Sequence, residues 1–376
     1  MLPKEEIEIG IDRQGFGLSM GFLPMTSRER VHRAIEFNHP DRVPRDLWTL
    51  PIAEIQNGAA AIDGLRERWP GDMGSPDVPN PALEATRTGS PYAIGQYHDE
   101  WGVTWENIQN GVVGEVKDPQ IKEWEDLEKL RLPVEALAFD RDAVNRFCSA
   151  DDRFLISDLS SVRLFERLQF MRGSENLFVD LAEEPPELFL LRDRIHAFNC
   201  DFLTAWAKTD VDALGIMDDW GSQISLLISP AQWRRLFKPC YAEYCRIARD
   251  RGKKVVMHSD GHIIDIYEDL IEIGVQAINS QIFCMDIAEL GRRFAGRITF
   301  WGEVDRQHLL PFGTPDEVRS AVRHVIEELY SPEGGVIAQL ELGAAAKIEN
   351  ADAVYATWAE APVTGGRTRP LSPRRP

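Results

Sequence analysis

Four short segments of the chain end an apolar run in side chains able to move a proton or hold a cation. In MDDWGSQ (217–223), the adjacent carboxylates Asp218 and Asp219 follow Leu-Gly-Ile-Met. One of such a pair can exchange a proton while its neighbour's charge raises its pKa. Trp220 and Gln223 beside them have the character of substrate-lining groups. In MHSDGH (257–262), His258 and Asp260 are two residues apart, so a continuing strand sets both on one side. An imidazole and a carboxylate placed together can ligate a metal or form an oriented acid–base pair. His262 lies past the turn and is read as structural.

WGEVDRQ (301–307) brings Glu303 out of a strand, with Asp305 and Arg306 able to pair or to contact an anionic substrate through the guanidinium fork. AQLELG (338–343) alternates Gln339 and Glu341 with Leu340 and Leu342. Two polar groups on a buried face are costly unless paired, and Glu341 facing His258 would complete a metal or hydrogen-bond site. Plainer roles compete at each position. Asp218 could cap a helix, Asp219 could be solvated, Arg306 could sit in a surface salt bridge, and Gln339 could fill a layer with one hydrogen bond. Weaker signals come from Arg45, Asp46 and Trp48 in RDLW, from Trp101 in the aromatic stretch YHDEWGVTW (97–105), and from Asp158 with Arg163 and Arg167 after it. The expected catalytic groups are therefore Asp218, Asp219, His258 and Glu341. The expected substrate-binding groups are Trp48, Trp101, Asp158, Trp220, Gln223, Glu303, Arg306 and Gln339.

What must position these residues is a set of strands buried on both faces. The runs RVPRDLW (42–48), FLISDLSS (154–161), ALGIMDDWG (213–221), KVVMHSDG (254–261), AINSQ (277–281), RITFWGEVD (297–305) and GVIAQLE (335–341) alternate with amphipathic helical stretches. That pattern predicts a parallel sheet covered by helices. Polar residues recurring where apolar runs stop predict an active-site rim at the C-terminal ends of barrel strands. The fold class expected is α/β, a (β/α)₈ TIM barrel in one domain over 25–362. An irregular N-terminal arm (1–24) would precede it and a Pro-, Gly- and Arg-rich mobile tail (363–376) would follow. A first helix is expected at TSRERVHRAIEF, capped by Thr26 or Ser27. Another should follow the Gly-Thr-Pro at 313–315.

The formal charge of −19, from 61 acidic against 42 basic residues, leaves no basic footprint for nucleic acid. No apolar run is long enough to span a membrane, and no secretory leader is legible at the N-terminus. Five scattered cysteines without CxxC spacing suit free thiols in a reducing cytoplasm. Walker, GxGxxG, GxSxG and HExxH motifs are missing, which sets aside nucleotide, serine-hydrolase and zincin chemistry.

Taken in order, TSRERVHRAIEFNHPDRVP, DEWGVTWEN, RLFERLQFMRG, DDWGSQ, ISPAQWRRLFKP, MHSDG, IEIGVQAINSQ, WGEVDRQHLLPFGTPDEV and QLELG…IEN resemble the uroporphyrinogen decarboxylase superfamily. The likeness is closest to its branch of cobalamin-associated, O-demethylase-type methyltransferases and covers roughly residues 25–360. The resemblance implies a (β/α)₈ barrel with a deep mouth. The decarboxylase proper holds its substrate's carboxylates with arginines and carries a Gln-Ala-Gly-Arg segment after the first strand, where this chain has RDLWTLP. The methyltransferase branch implies a zinc bound through His-x-Cys and a later cysteine. His258 matches the histidine, Asp260 stands at the first cysteine's place and Leu340 at the second's, with Glu341 beside it. A harder set of His258, Asp260 and Glu341 could hold zinc or another metal, or the three could work as a metal-free acid–base group.

The function this implies is removal of a methyl group from a small donor, such as a methoxylated aromatic, and its delivery to cobalamin on a separate corrinoid carrier protein. A homodimer is an allowed assembly. The alternatives are a lyase that decarboxylates a carboxylated substrate and a non-catalytic ligand-binding barrel.

Overall fold

The computed structural model describes residues 25–362, so the expected arm (1–24) and tail (363–376) lie outside the described residues. The runs rich in Val, Ile, Leu and Met form parallel strands. A sheet in the order β1-β11-β10-β9-β8-β7 joins β1 (Arg45–Thr49), β7 (Ala213–Met217), β8 (Lys254–Ser259), β9 (Ala277–Ser280), β10 (Thr299–Gly302) and β11 (Val336–Leu342). Every pairing in it is parallel, with Asp46 opposite Gln339, Met217 opposite His258 and His258 opposite Asn279. Helices fill the connections, the longest being Pro186–Trp206.

This is a TIM-barrel-like α/β fold, but the expected eight-stranded ladder is met only in part. β2 (Met73–Gly74) and β6 (Phe154–Leu155) are two residues long and form a separate parallel pair. Single backbone contacts tie that pair to the large sheet. The Asp72 N–H donates to the Arg45 carbonyl at 2.8 Å, and Ile156 makes an isolated parallel bridge to Ala213. FLISDLSS is therefore strand only at its start, because Asp158 accepts from the Ser160 N–H and hydroxyl and from the Ser161 hydroxyl and turns the chain. The aromatic stretch 97–105 falls in an unexpected antiparallel meander of β3 (Gly95–His98), β4 (Thr104–Asn107) and β5 (Glu115–Asp118).

Strand alternation splits the core in two. One cluster, built from Phe154, Ile156, Ala213, Val256, Ala277, Trp301 and Ile337, fills the space the strands enclose. Val31 and Ile35 of the first helix (Ser27–Glu36) close its N-terminal end. The larger cluster packs the outward positions, including Leu340 and Leu342, against the helices. The caps read from sequence are present. The Thr26 hydroxyl accepts from the Glu29 N–H, and Thr314 makes a capping box with Glu317 ahead of Pro315–Leu329.

One carboxylate ties the closing helix to the weak part of the sheet. Fully buried Asp72 accepts from the Ser27 hydroxyl, from Arg30 at 2.7 Å, from Arg42 at 2.7 and 2.9 Å, and from the Arg45 backbone N–H at 2.8 Å. A buried ion network costs most when one partner is removed, since the others stay buried and uncompensated. Asp72→Ala is expected to lower stability by about 3–5 kcal/mol in chemical denaturation. A change within about 0.5 kcal/mol, the scale of an ordinary surface substitution, would show that the hub holds nothing together.

Candidate active site

Because side chains alternate along a strand, the residues sharing a face with the inner cluster recur at the C-terminal rim. They are Asp46 and Trp48 of β1, Met217 and Asp219 at β7, His258 and Asp260 at β8, Asn279 and Gln281 at β9, Trp301 and Glu303 at β10, and Gln339 and Glu341 of β11.

His258 is the fixed point of this rim. Its Nδ1–H donates to Asn279 Oδ1 at 2.5 Å, and Asn279 Nδ2 donates to the Trp301 carbonyl at 2.6 Å. The carbonyl can only accept, so it orients the amide, and the amide oxygen in turn keeps the proton on Nδ1. Nε2 is thereby aimed at two carboxylate oxygens, Asp219 Oδ1 and Asp260 Oδ1, each 3.4 Å away. The ligand atoms of Asp219, His258 and Asp260 all lie within 4.8 Å of one another. Something positive belongs between them, either a proton on Nε2 or a metal cation. With the proton, burial alone would lower the imidazole's pKa, yet the hydrogen bond and charge of Asp219 outweigh it and hold the value at about 10. Burial would likewise raise Asp219, and His258 overcomes that to bring it to about 2. Asp219 is set in place by the Asp260 N–H, which donates to its Oδ1 at 2.9 Å. Trp48 closes the other side, its ring 5.4 Å from the imidazole.

Arg306 is shared among three carboxylates. It donates to Glu341 at 2.8 Å, makes a close contact with Asp260, and lies 3.5 Å from Glu303. Glu303 is 2% exposed, and neither of its oxygens has a hydrogen-bond partner. Burial, which Arg306 only partly offsets, pushes its carboxyl up to about 8. Gln339 is fully buried with both amide atoms unpartnered, and Asp260 Oδ1 is in the same condition. Unsatisfied buried polar groups are rare in folded proteins. Their concentration at one end of the sheet marks the surface that receives a ligand. A cleft of about 100 Å³ opens there, walled by Glu303, Arg306, Gln223, Gln281, Phe283 and Cys284.

Several expected site residues lie elsewhere. Asp218 faces away from the rim, because it alternates with Asp219. Fully buried, it accepts from the backbone N–H groups of Leu164, Phe165 and Glu166 at 2.6–2.8 Å and from the Tyr241 hydroxyl. Contrary to the expected catalytic placement, it caps the helix Phe165–Arg172 and does not face the rim. Trp220 stacks on Phe165 at 4.3 Å and donates to Tyr241, and Trp101 packs edge-on against Phe198 under Arg167, so both are core. Asp158 is spent on its own turn. Glu341 is tied to Arg306 and lies outside the three-residue ligand cluster, where Asp219 takes the place expected of it. Leu340, at the position of the second cysteine, faces the helix layer.

Asp46 gave only a weak signal in the sequence, and Asn279 and Glu166 gave none that was read. Asp46 lies buried beneath the rim, taking both the Trp48 and Trp301 indole N–H groups on one oxygen at 2.8 and 2.9 Å; burial still raises its carboxyl to about 6. Asn279 carries no charge and sits within an apolar run, so its only sequence signal is its inward phase in AINSQ. Glu166 takes both its contacts from Arg163 at 2.8 Å, and burial lifts it to about 8 despite that partner.

The donor set fits a divalent cation of hard or borderline character. It does not fit a thiolate-bound zinc, since Asp260 supplies oxygen and the second cysteine's position points outward.

The chain belongs to the uroporphyrinogen decarboxylase family, whose model, described as Uroporphyrinogen decarboxylase (URO-D), matches residues 102–360. No curated protein matches significantly. Among solved structures, a methyltransferase from Methanosarcina mazei superposes with a TM-score of 0.58 at 16% identity, covering 89% of this chain and 99% of that one, which shows a shared fold. A D-psicose 3-epimerase, crystallised in the presence of D-fructose, gives 0.36 at 12% identity over 59% of this chain and 83% of its own. Among the described residues, no helix is long and apolar enough to cross a membrane.

The two adjacent aspartates should separate in experiment. Asp218→Ala strands three backbone donors and a buried hydroxyl, and is expected to cost about 3 kcal/mol or more of unfolding free energy. Asp219→Ala strands one backbone donor and leaves His258 free to shed its proton, so it should cost less, about 1–2 kcal/mol. Denaturant titrations giving equal losses, or the reverse order, would contradict this division of roles.

Proposed function

We propose that this chain is a methyltransferase that binds a small methylated donor in the mouth of the sheet and passes the methyl group to a corrinoid carried by a separate protein. The observation that carries this reading is the set of Asp219, His258 and Asp260 at the mouth, with His258 at the position where the resemblance puts the methyltransferases' metal-binding histidine. The shared fold with the archaeal methyltransferase supports it.

Taking a methyl group from an ether oxygen leaves an alkoxide or phenoxide, so the site must place positive charge or a proton at that oxygen. Asp219, His258 and Asp260 would hold a divalent cation, which when bound acts as a Lewis acid on the donor's oxygen. His258, fixed through Asn279, would present Nε2 to that cation without rotating. Trp48 would provide a flat apolar wall over which a donor lies.

Decarboxylation of a multiply carboxylated substrate is the weaker reading because the arginines that would bind it are engaged. Arg163 is held by Glu166, Arg306 by Asp260 and Glu341, and Arg45 lies over Trp69. A non-catalytic barrel would have no reason to bury Glu303 without a hydrogen-bond partner.

Incubation with a reduced corrinoid carrier and a panel of methyl ethers is expected to methylate the corrinoid with at least one donor. His258→Ala should lower the rate by about a hundredfold or more. Release of carbon dioxide from carboxylated compounds, with no methylation from any donor, would overturn the assignment. Elemental analysis of the purified chain is expected to find about one divalent ion per molecule, lost on Asp219→Ala. Retention of that ion by the variant would refute the ligand set.

A further inference from the structure

The charges at the mouth do not cancel. Arg163 answers Glu166, Arg306 answers Glu341 and one oxygen of Asp260, and His258 faces Asp219. On the outer wall, His308 lies 3.4 Å from Asp305. Glu303 remains. Its nearest cation, Arg306, is 3.5 Å away, too far for a hydrogen bond, and already donates to two other carboxylates.

The side chain is 2% exposed, so bulk water does not solvate it, and it lines the cleft. One step beyond the paired Gly302 and Ala338, Gln339 is just as buried and likewise unpartnered. Two adjacent strands therefore present an unanswered carboxyl and an unanswered carboxamide at the same height. Burying an ionisable group without a partner is costly enough that it signals a missing partner of opposite charge. On the same wall stands Phe283, the aromatic surface that, with a carboxylate, recognises organic ammonium groups. No cation among the described residues of the cleft wall is free to hold an anionic substrate.

We propose that this cleft binds a cationic part of the substrate, an alkylammonium group, with Glu303 as counter-ion and Phe283 as aromatic wall. The inference rests on the methyltransferase reading only in taking the cleft as the substrate site. It concerns recognition and holds whichever methyl group is transferred. A neutral ligand could bond to the oxygens of Glu303 but brings no charge to hold it as a carboxylate, whereas an ammonium does both.

Binding without turnover tests this independently of the transfer reaction. Calorimetry on the purified full chain would compare choline with its uncharged isostere 3,3-dimethylbutan-1-ol, with tetramethylammonium as a second cationic probe. Choline is expected to bind about tenfold or more tightly than the isostere. Glu303→Gln should bring that preference within about twofold, and Phe283→Leu should weaken choline by about threefold to tenfold. Thermal melts of both variants would confirm folding. Equal affinities for choline and the isostere, absence of binding by either cation, or a preference unchanged in Glu303→Gln would each overturn the proposal. So would a preference lost in Asp219→Asn but kept in Glu303→Gln, since the cation would then sit at the His258 cluster. A failed methyl-transfer assay beside a choline preference that depends on Glu303 would unseat the reaction and leave the recognition standing.

Discussion

Everything at the C-terminal rim follows from one electrostatic constraint: more carboxyl groups are buried there than cations. Asp219, Asp260, Glu303 and Glu341 converge on His258 and a single shared arginine, Arg306. In a low-dielectric enclosure such an excess cannot persist as free charge, so it must be met by protons, a metal ion or a ligand. The pKa directions express this. His258 holds its proton because Asp219 is beside it, and Glu303 is raised because Arg306 is committed elsewhere. A site poised in this way takes up positive charge readily. It disfavours substrates that bring more negative charge, which separates it from chemistry built on binding several carboxylates.

The scaffold keeps this tension apart from its own stability. At the N-terminal end, Asp72 is over-supplied with donors, and its links to Ser27, Arg30, Arg42 and the Arg45 backbone brace the stretch where the strands shorten to two residues. Asp218 does the same one step outside the rim, organising the start of a helix. Both carboxylates are buried at least as deeply as Glu303, yet every oxygen they carry is answered. Burial alone therefore does not distinguish structural from functional acids here. The presence or absence of partners does.

Much of this was legible in the residues, because a strand's period of two carries directly into space. Knowing that His258, Asp260, Gln339 and Glu341 alternate with apolar neighbours was enough to put them on one face, and the rim is where they stand. The same period could have separated Asp218 from Asp219, but an adjacent pair suggests mutual pKa perturbation and hides that only one of them faces inward. Trp101 and Trp220 misled for a related reason. A tryptophan near a strand end packs equally well against helices, and only the partners Phe198 and Phe165, distant in sequence, decide which. Asn279 and the two-residue strand Met73–Gly74 carry no pattern long enough to register. The role of Asn279 depends on the Trp301 carbonyl, a backbone atom that no side-chain motif reports.

The missing thiolates alter the site without emptying it. A cysteine at position 260 would offer one soft donor, whereas Asp260 offers two hard oxygens, one directed at His258 and one held by Arg306. That second contact has a consequence for selectivity. Arg306 draws electron density from Asp260 and also pairs with Glu341, so Glu341 is held away from the cluster and Asp219 becomes the third ligand atom within reach. Substituting oxygen for sulfur in this way moves preference from soft metals toward harder divalent ions. It also weakens the grip on any ion, because carboxylates hold borderline metals less firmly than thiolates do. An ion so held would leave more of its charge exposed to a donor's oxygen, which would suit a Lewis acid better than a structural tether. The hard ligand set, the committed arginine and the unanswered Glu303 therefore describe a single arrangement, one in which the positive charge that completes the mouth comes from outside the chain.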